Sequence, residues 1–159
     1  MEIKKYFLQP GYIFITKEPY IIETVLGSCV ALCLWDKINK IGAMNHYIYP
    51  ECNDIKKQTA KYGNVSLNHM IKMYIKDGGI LDNTIAYAFG GAKNIYLSSL
   101  VGDSNVEIVN RVLGKYQIKL SAYDFGGIRG RKVTFNTENG EYKIDVIKSN
   151  NLGVIANDK

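Results

Sequence analysis

Apolar and polar positions along this chain change period several times, and each change marks an element. Residues 10–16 alternate, with Tyr12 and Phe14 on one face, and predict a strand. After Pro19 a β-branched run over 20–26 predicts a second strand that stops at Gly27. From Val30 to Trp35 both alternating faces are apolar, with Val30, Leu32 and Leu34 on one and Ala31, Cys33 and Trp35 on the other. A strand covered on both sides has that pattern. A polar turn over 36–40 leads into a further apolar strand over 41–49, and the charged stretch 50–61 reads as an exposed loop.

The period then becomes helical. Leu67, Met70, Ile71, Tyr74 and Ile75 form one continuous apolar face, and Gly78-Gly79 ends the element. Residues 84–89 return as a strand ending in Gly90-Gly91-Ala92. A second helix is predicted to open at Ser104-Asn105-Val106-Glu107, which matches a capping box, and to bury Val109, Val112, Leu113 and Tyr116. A strand over 119–125 ends in Gly126-Gly127. The runs 132–135 and 142–146 flank Asn139-Gly140, a strong hairpin signal. The expected class is α+β, with many strands and two main helices. No internal repeat or low-complexity segment interrupts it, and the polar stretch 149–159 is expected to fray.

At 159 residues the chain is expected to form one domain with a real core. Twelve tyrosines, with many isoleucines and valines, tilt the balance toward strand. No run approaches a membrane span and the first residues lack the apolar core of a signal peptide, so a cytoplasmic location is expected. Cys29, Cys33 and Cys52 are an odd number, which argues against a disulfide framework. The formal charge of +5 favours an acidic partner, but lysine and glutamate are mixed rather than blocked, and no basic–aromatic stripe for nucleic acid is visible.

The candidate chemistry sits at Leu26-Gly27-Ser28-Cys29. A small Gly-Ser pair delivers a cysteine, and a hairpin of the next two strands carries Cys29 and His46 toward one end of it. A thiol activated by a neighbouring imidazole is the working pair of nucleophilic thiol catalysis, since an unassisted cysteine, with a pKa of about 8.5, is mostly protonated at neutral pH. Gly27 permits a sharp turn, and the amides at Ser28 and Cys29 are candidates for cradling an oxyanion. Cys33 shares the apolar surroundings without the Gly-Ser lead and reads as core. Cys52 lies in the charged loop, and His69 falls off its helix's apolar face. No paired short-spacing cysteine knuckle supports a zinc site. Asp124-Phe125-Gly126 spells a kinase magnesium motif without its companions, and Phe89-Gly90-Gly91-Ala92 lacks the lysine and hydroxyl of a phosphate loop.

Taken together, these segments resemble the CheD family of bacterial chemoreceptor glutamine deamidases. The pieces stand in order: Leu-Gly-Ser-Cys-Val-Ala at 26–31, Gly-Ala-Met-Asn-His at 42–46 with Pro50, Tyr62-Gly63, Phe-Gly-Gly-Ala at 89–92, Gly102 with Asn105, Asp124 with Gly126-Gly127, and Gly-Arg-Lys-Val at 130–133. The resemblance implies an α/β/β sandwich related to toxin-type cysteine deamidases. It implies Cys29 as nucleophile, His46 as base, and conversion of receptor glutamines to glutamates through a γ-glutamyl thioester, with no metal or organic cofactor. A third family residue, a threonine six positions ahead of the cysteine, falls on Glu23, with Thr24 beside it. Alternation sends the two to opposite faces, so either Glu23 orients His46 or the strand shifts and Thr24 does.

The resemblance also implies binding to the chemotaxis phosphatase CheC. Arg131 and Phe89, with Arg129 and the lysines of the first helix, are candidates for docking a receptor or partner. Alternatively, Arg131 pins the glycine-rich turn beside it. The competing class is a non-catalytic module that regulates the phosphatase.

Overall fold

The computed structural model describes residues 2–93 and 100–148. Its strands are β1 (Lys4–Phe7), β2 (Ile13–Thr16), β3 (Tyr20–Leu26), β4 (Val30–Asp36), β5 (Ile41–Asn45), β6 (Thr84–Gly90), β7 (Leu120–Phe125), β8 (Arg131–Asn136) and β9 (Tyr142–Val146). Helix α1 spans Gly63–Lys76 and helix α2 spans Val101–Tyr116. One sheet has the order β2-β5-β4-β6-β7 and the other β1-β3-β8-β9. The pairings are antiparallel except β1 with β3 and β6 with β7.

The layers follow from β4. All seven of its residues are buried, as the doubly apolar pattern requires. Val30, Leu32 and Leu34 pack with Leu67, Met70, Ile71 and Tyr74 of α1 and with Ile108, Val109, Val112 and Leu113 of α2. Ala31, Cys33 and Trp35 face the other way, against Ile22, Leu26, Val133 and Phe135 of the four-stranded sheet. The result is a helix layer, a five-stranded sheet and a four-stranded sheet, an α+β sandwich. Each fully buried aliphatic side chain contributes roughly 1.5–3 kcal/mol. The central strand is therefore the most expensive place in the chain to introduce a polar group.

Several boundaries differ from the periodic reading. β1 was not visible as a strand: its Lys-Lys-Tyr-Phe run is mostly exposed, and it is held by pairing with β3 and by Tyr6 stacked on Phe14. β2 begins at Ile13 rather than at residue 10. The apolar run over 41–49 is regular only to Asn45 and continues as isolated bridges at Tyr47 and Tyr49. Ile75 is 42% exposed, so the buried face of α1 stops at Tyr74. The capping box is not a cap. Helix α2 already runs through Ser104, whose amide donates to Leu100 O at 2.9 Å. The extra turn exists because Gly102 has no Cβ: one built there would overlap Ala92 O, so the helix backbone lies directly on the end of β6. The expected tail over 149–159 lies outside the described residues.

The other tight approach is at Gly90, where φ is +119° and an added Cβ would collide with the Cys29 carbonyl. Gly90→Ala is expected to destabilise the fold by roughly 1–3 kcal/mol through left-handed strain and this overlap. Urea unfolding followed by Trp35, the only tryptophan in the chain, measures it.

Candidate active site

Three strands meet at the cysteine–histidine pair. The bridge between Val30 and Tyr47 extends the β4–β5 register past the end of β5. Val30 and Tyr47 point into the helix-side core, so their chain neighbours Cys29 and His46 share the opposite face, toward the second sheet. They stand diagonally across the two strands, a relation that brings Cα atoms to about 7–8 Å. At Asn45 the side chain replaces the ladder: its Oδ1 accepts the Leu32 amide at 2.7 Å, and its Nδ2 donates to Ser66 Oγ at 3.0 Å. The backbone of His46 is held from the other side, donating to Tyr12 O and accepting from Gly11 N.

Thr24 reaches the ring from β3. Its Oγ1 lies 2.7 Å from His46 Nδ1 and 2.8 Å from Leu8 O, and the side chain is fully buried. The geometry decides the tautomer. Leu8 O only accepts, so the single Thr24 hydroxyl hydrogen goes to it, and Oγ1 must accept from Nδ1–H. Nε2 is then the bare nitrogen, and it is buried without a hydrogen-bond partner. Burial holds the imidazole pKa down at about 4, and the neutral hydroxyl beside it offers no negative charge to an imidazolium. At neutral pH the ring is an uncharged base aimed onto the face it shares with Cys29.

The turn over 27–29 is tied by its carbonyls. Gly27 O accepts from Ala92 N at 3.0 Å, Ser28 O from Asn105 Nδ2 at 2.9 Å, and Cys29 O from Gly91 N at 3.0 Å. In a trans peptide the N–H points opposite to the C=O. The amides of Ser28 and Cys29 are therefore aimed away from the Gly91–Ala92 strand end and from α2.

Of the two candidates for third member, only Thr24 touches His46. Glu23 points outward and pairs with Lys132 Nζ at 3.1 Å. The side chains of Ile22, Thr24 and Leu26 are the inward set of β3. Arg131 is 5% exposed: it donates to Asp124 O at 2.6 Å, to Gly126 O and to Arg129 O, and pairs with the Asp124 carboxylate at 3.2 Å. That is the turn-pinning alternative, and it leaves no exposed guanidinium for docking. Phe89 is 1% exposed among Tyr87 and Tyr142, so its ring is not at the surface either. Cys33 is buried, and burial pushes its thiol well above the ordinary range. Cys52 contacts Asp54 O in the 50–61 loop, and His69 is exposed on α1. Periodicity gave no sign of Leu8, which acts through its backbone, or of Asn45.

The buried neutral ring has a thermodynamic signature. Its folded pKa lies below the unfolded value near 6.5, so the unfolded chain binds more protons below that pH, and stability is lost as pH falls toward 4. Between pH 7.5 and 4.5 the stability difference between wild type and His46→Gln, read by urea unfolding, should shift by roughly 2–3 kcal/mol at the wild type's expense. An unchanged difference would mean that the ring titrates in the fold as it does in the unfolded chain.

A family model for CheD chemotactic sensory transduction matches residues 50–146. A Sulfurimonas denitrificans protein described as "probable chemoreceptor glutamine deamidase CheD" is 35% identical over 93% of this chain and 97% of its own length. A protein of the same description from Trichlorobacter lovleyi is 38% identical over 87% of this chain and 88% of its own. One from Anaeromyxobacter dehalogenans, described as CheD 1, is 36% identical over 84% and 80%. Matches of this extent mean that the chain belongs to the CheD family.

Proposed function

We propose that this chain is a cysteine-dependent glutamine deamidase that acts on chemotaxis receptors. The observation that carries the reading is the Thr24–His46 hydrogen bond, which leaves Nε2 unprotonated on the face it shares with Cys29. The names of the relatives point to the same substrate class.

His46 Nε2 takes the proton from Cys29 Sγ as the sulfur attacks the glutamine Cδ. The carbonyl oxygen becomes an oxyanion facing the amides of Ser28 and Cys29, whose direction the tied carbonyls of the turn set. The C–N bond breaks as His46 returns its proton to the departing ammonia, leaving a γ-glutamyl thioester. A water then loses a proton to Nε2 and attacks the thioester, and the thiolate leaves and is reprotonated. Thr24 holds the ring in the productive tautomer throughout. Because Thr24 carries no charge, nothing at Nδ1 favours an imidazolium, and the ring starts the cycle neutral.

Receptor cytoplasmic fragments incubated with wild type should show amide-to-acid conversion by mass spectrometry, and Cys29→Ala should show none. Intact glutamines with wild type, alongside tight binding of the phosphatase CheC, would favour a regulatory module instead. Thr24→Val should lower kcat roughly 10- to 100-fold by freeing the tautomer, whereas Glu23→Gln should stay within about 2-fold. The acid limb of kcat/KM should centre near pH 4 rather than near 6.5, since that limb reports the base of the resting enzyme.

A further inference from the structure

Asn105, in the first half of α2, is fully buried and makes contacts that the packing of a helix on a sheet does not call for. Its side-chain nitrogen donates to Ser28 O at 2.9 Å and to Ile48 O at 2.9 Å. Two carbonyl acceptors on one atom require that atom to be the NH₂, so the orientation of the amide is settled by chemistry. Its Oδ1 is buried with no hydrogen-bond partner, an arrangement that costs stability. A residue chosen only to attach the helix would not leave that acceptor orphaned.

The two carbonyls belong to the two strands that carry the reacting groups. Ser28 O is part of the peptide whose N–H is that of Cys29, and Ile48 lies just past His46 and Tyr47. Beyond the Val30–Tyr47 bridge, the amide of Asn105 takes over the linkage between these strands. The Tyr47 hydroxyl donates to the backbone carbonyl of Asn105, anchoring the same turn of helix independently. We propose that Asn105 is a positioning residue for the deamidation, holding the Ser28–Cys29 peptide so that the Cys29 amide faces the developing oxyanion. This rests on the deamidase reading above. It assigns α2 a part in transition-state stabilisation.

The test compares two readouts on full-length protein: turnover of receptor-fragment glutamines, and alkylation of Cys29 by iodoacetamide. Alkylation needs the thiol and its base but no oxyanion donors. Asn105→Ala should lower kcat about 30-fold, with KM within about 2-fold and the alkylation rate within about 3-fold. Tyr47→Phe, which loosens the same helix turn without touching the amide, should lower thermal stability and keep kcat within about 2-fold. Asn105→Asp should be poorly active near pH 8, where a carboxylate opposes two carbonyls. It should recover part of its kcat near pH 5.5, where the protonated acid donates one hydrogen bond.

Alkylation falling in step with kcat, an equal kcat loss in Tyr47→Phe, or an unchanged kcat in Asn105→Ala would each overturn the proposal while leaving the deamidase reading in place. If circular dichroism shows Asn105→Ala unfolded, the acid recovery of Asn105→Asp decides: recovery supports the assignment and its absence overturns it. Wild type that converts no glutamine would overturn both.

Discussion

The carbonyl of Cys29 and the Cα of Gly90 lie so close that no side chain fits between them. Most of the site follows from that contact. It fixes the end of β6 against the turn before β4, and it lets Gly91 and Ala92 take the carbonyls of Cys29 and Gly27 as hydrogen-bond acceptors. Gly102 repeats the same close approach from the helix side. A reactive cysteine on a loop would ordinarily sample many orientations. Here the loop is held by the backbone of Gly91 and Ala92 and by the Asn105 side chain, so its direction is a property of the fold rather than of its own short sequence.

The second constraint is the burial of β4 on both faces. A strand buried in this way delivers Cys29 at its mouth without motion, and it brings β5 alongside so that His46 needs no long connection. The cost falls on the histidine, which sits where a charged imidazole is disfavoured. Pairing it with a hydroxyl instead of a carboxylate is consistent with that environment: a carboxylate there would itself have to be desolvated. The chemistry proposed above therefore relies on the direction of a neutral ring.

Much of this was legible in the chain. The doubly apolar Val30–Trp35 run specified a central covered strand, and β3, β6 and the β8–β9 hairpin fell close to where alternation put them. The cysteine and histidine stood out because only one Gly-Ser-Cys precedes such a strand. What periodicity missed has physical reasons. β1 is mostly exposed and packs only through Tyr6, so its residues carry no apolar alternation. The start of α2 depends on a backbone–backbone contact that no cap residue announces, and a good Ser-x-x-Glu inside the helix misdirects the eye. The choice between Glu23 and Thr24 needed the direction of β3, which Ile22 and Leu26 set together with the second sheet. Asn105 was visible only as a letter in a motif, since its work is done through the backbone of two distant strands.

Because Leu8 O receives the Thr24 hydroxyl hydrogen, the segment following β1 determines which imidazole nitrogen carries a proton. Leu8 is itself held by its amide on Glu23 O, alongside the parallel pairing of β1 with β3. An amino-terminal fusion or trimming that peels this edge away would leave the hydroxyl rotor unconstrained and let both tautomers compete. The proposed chemistry is thus sensitive to the segment that follows β1.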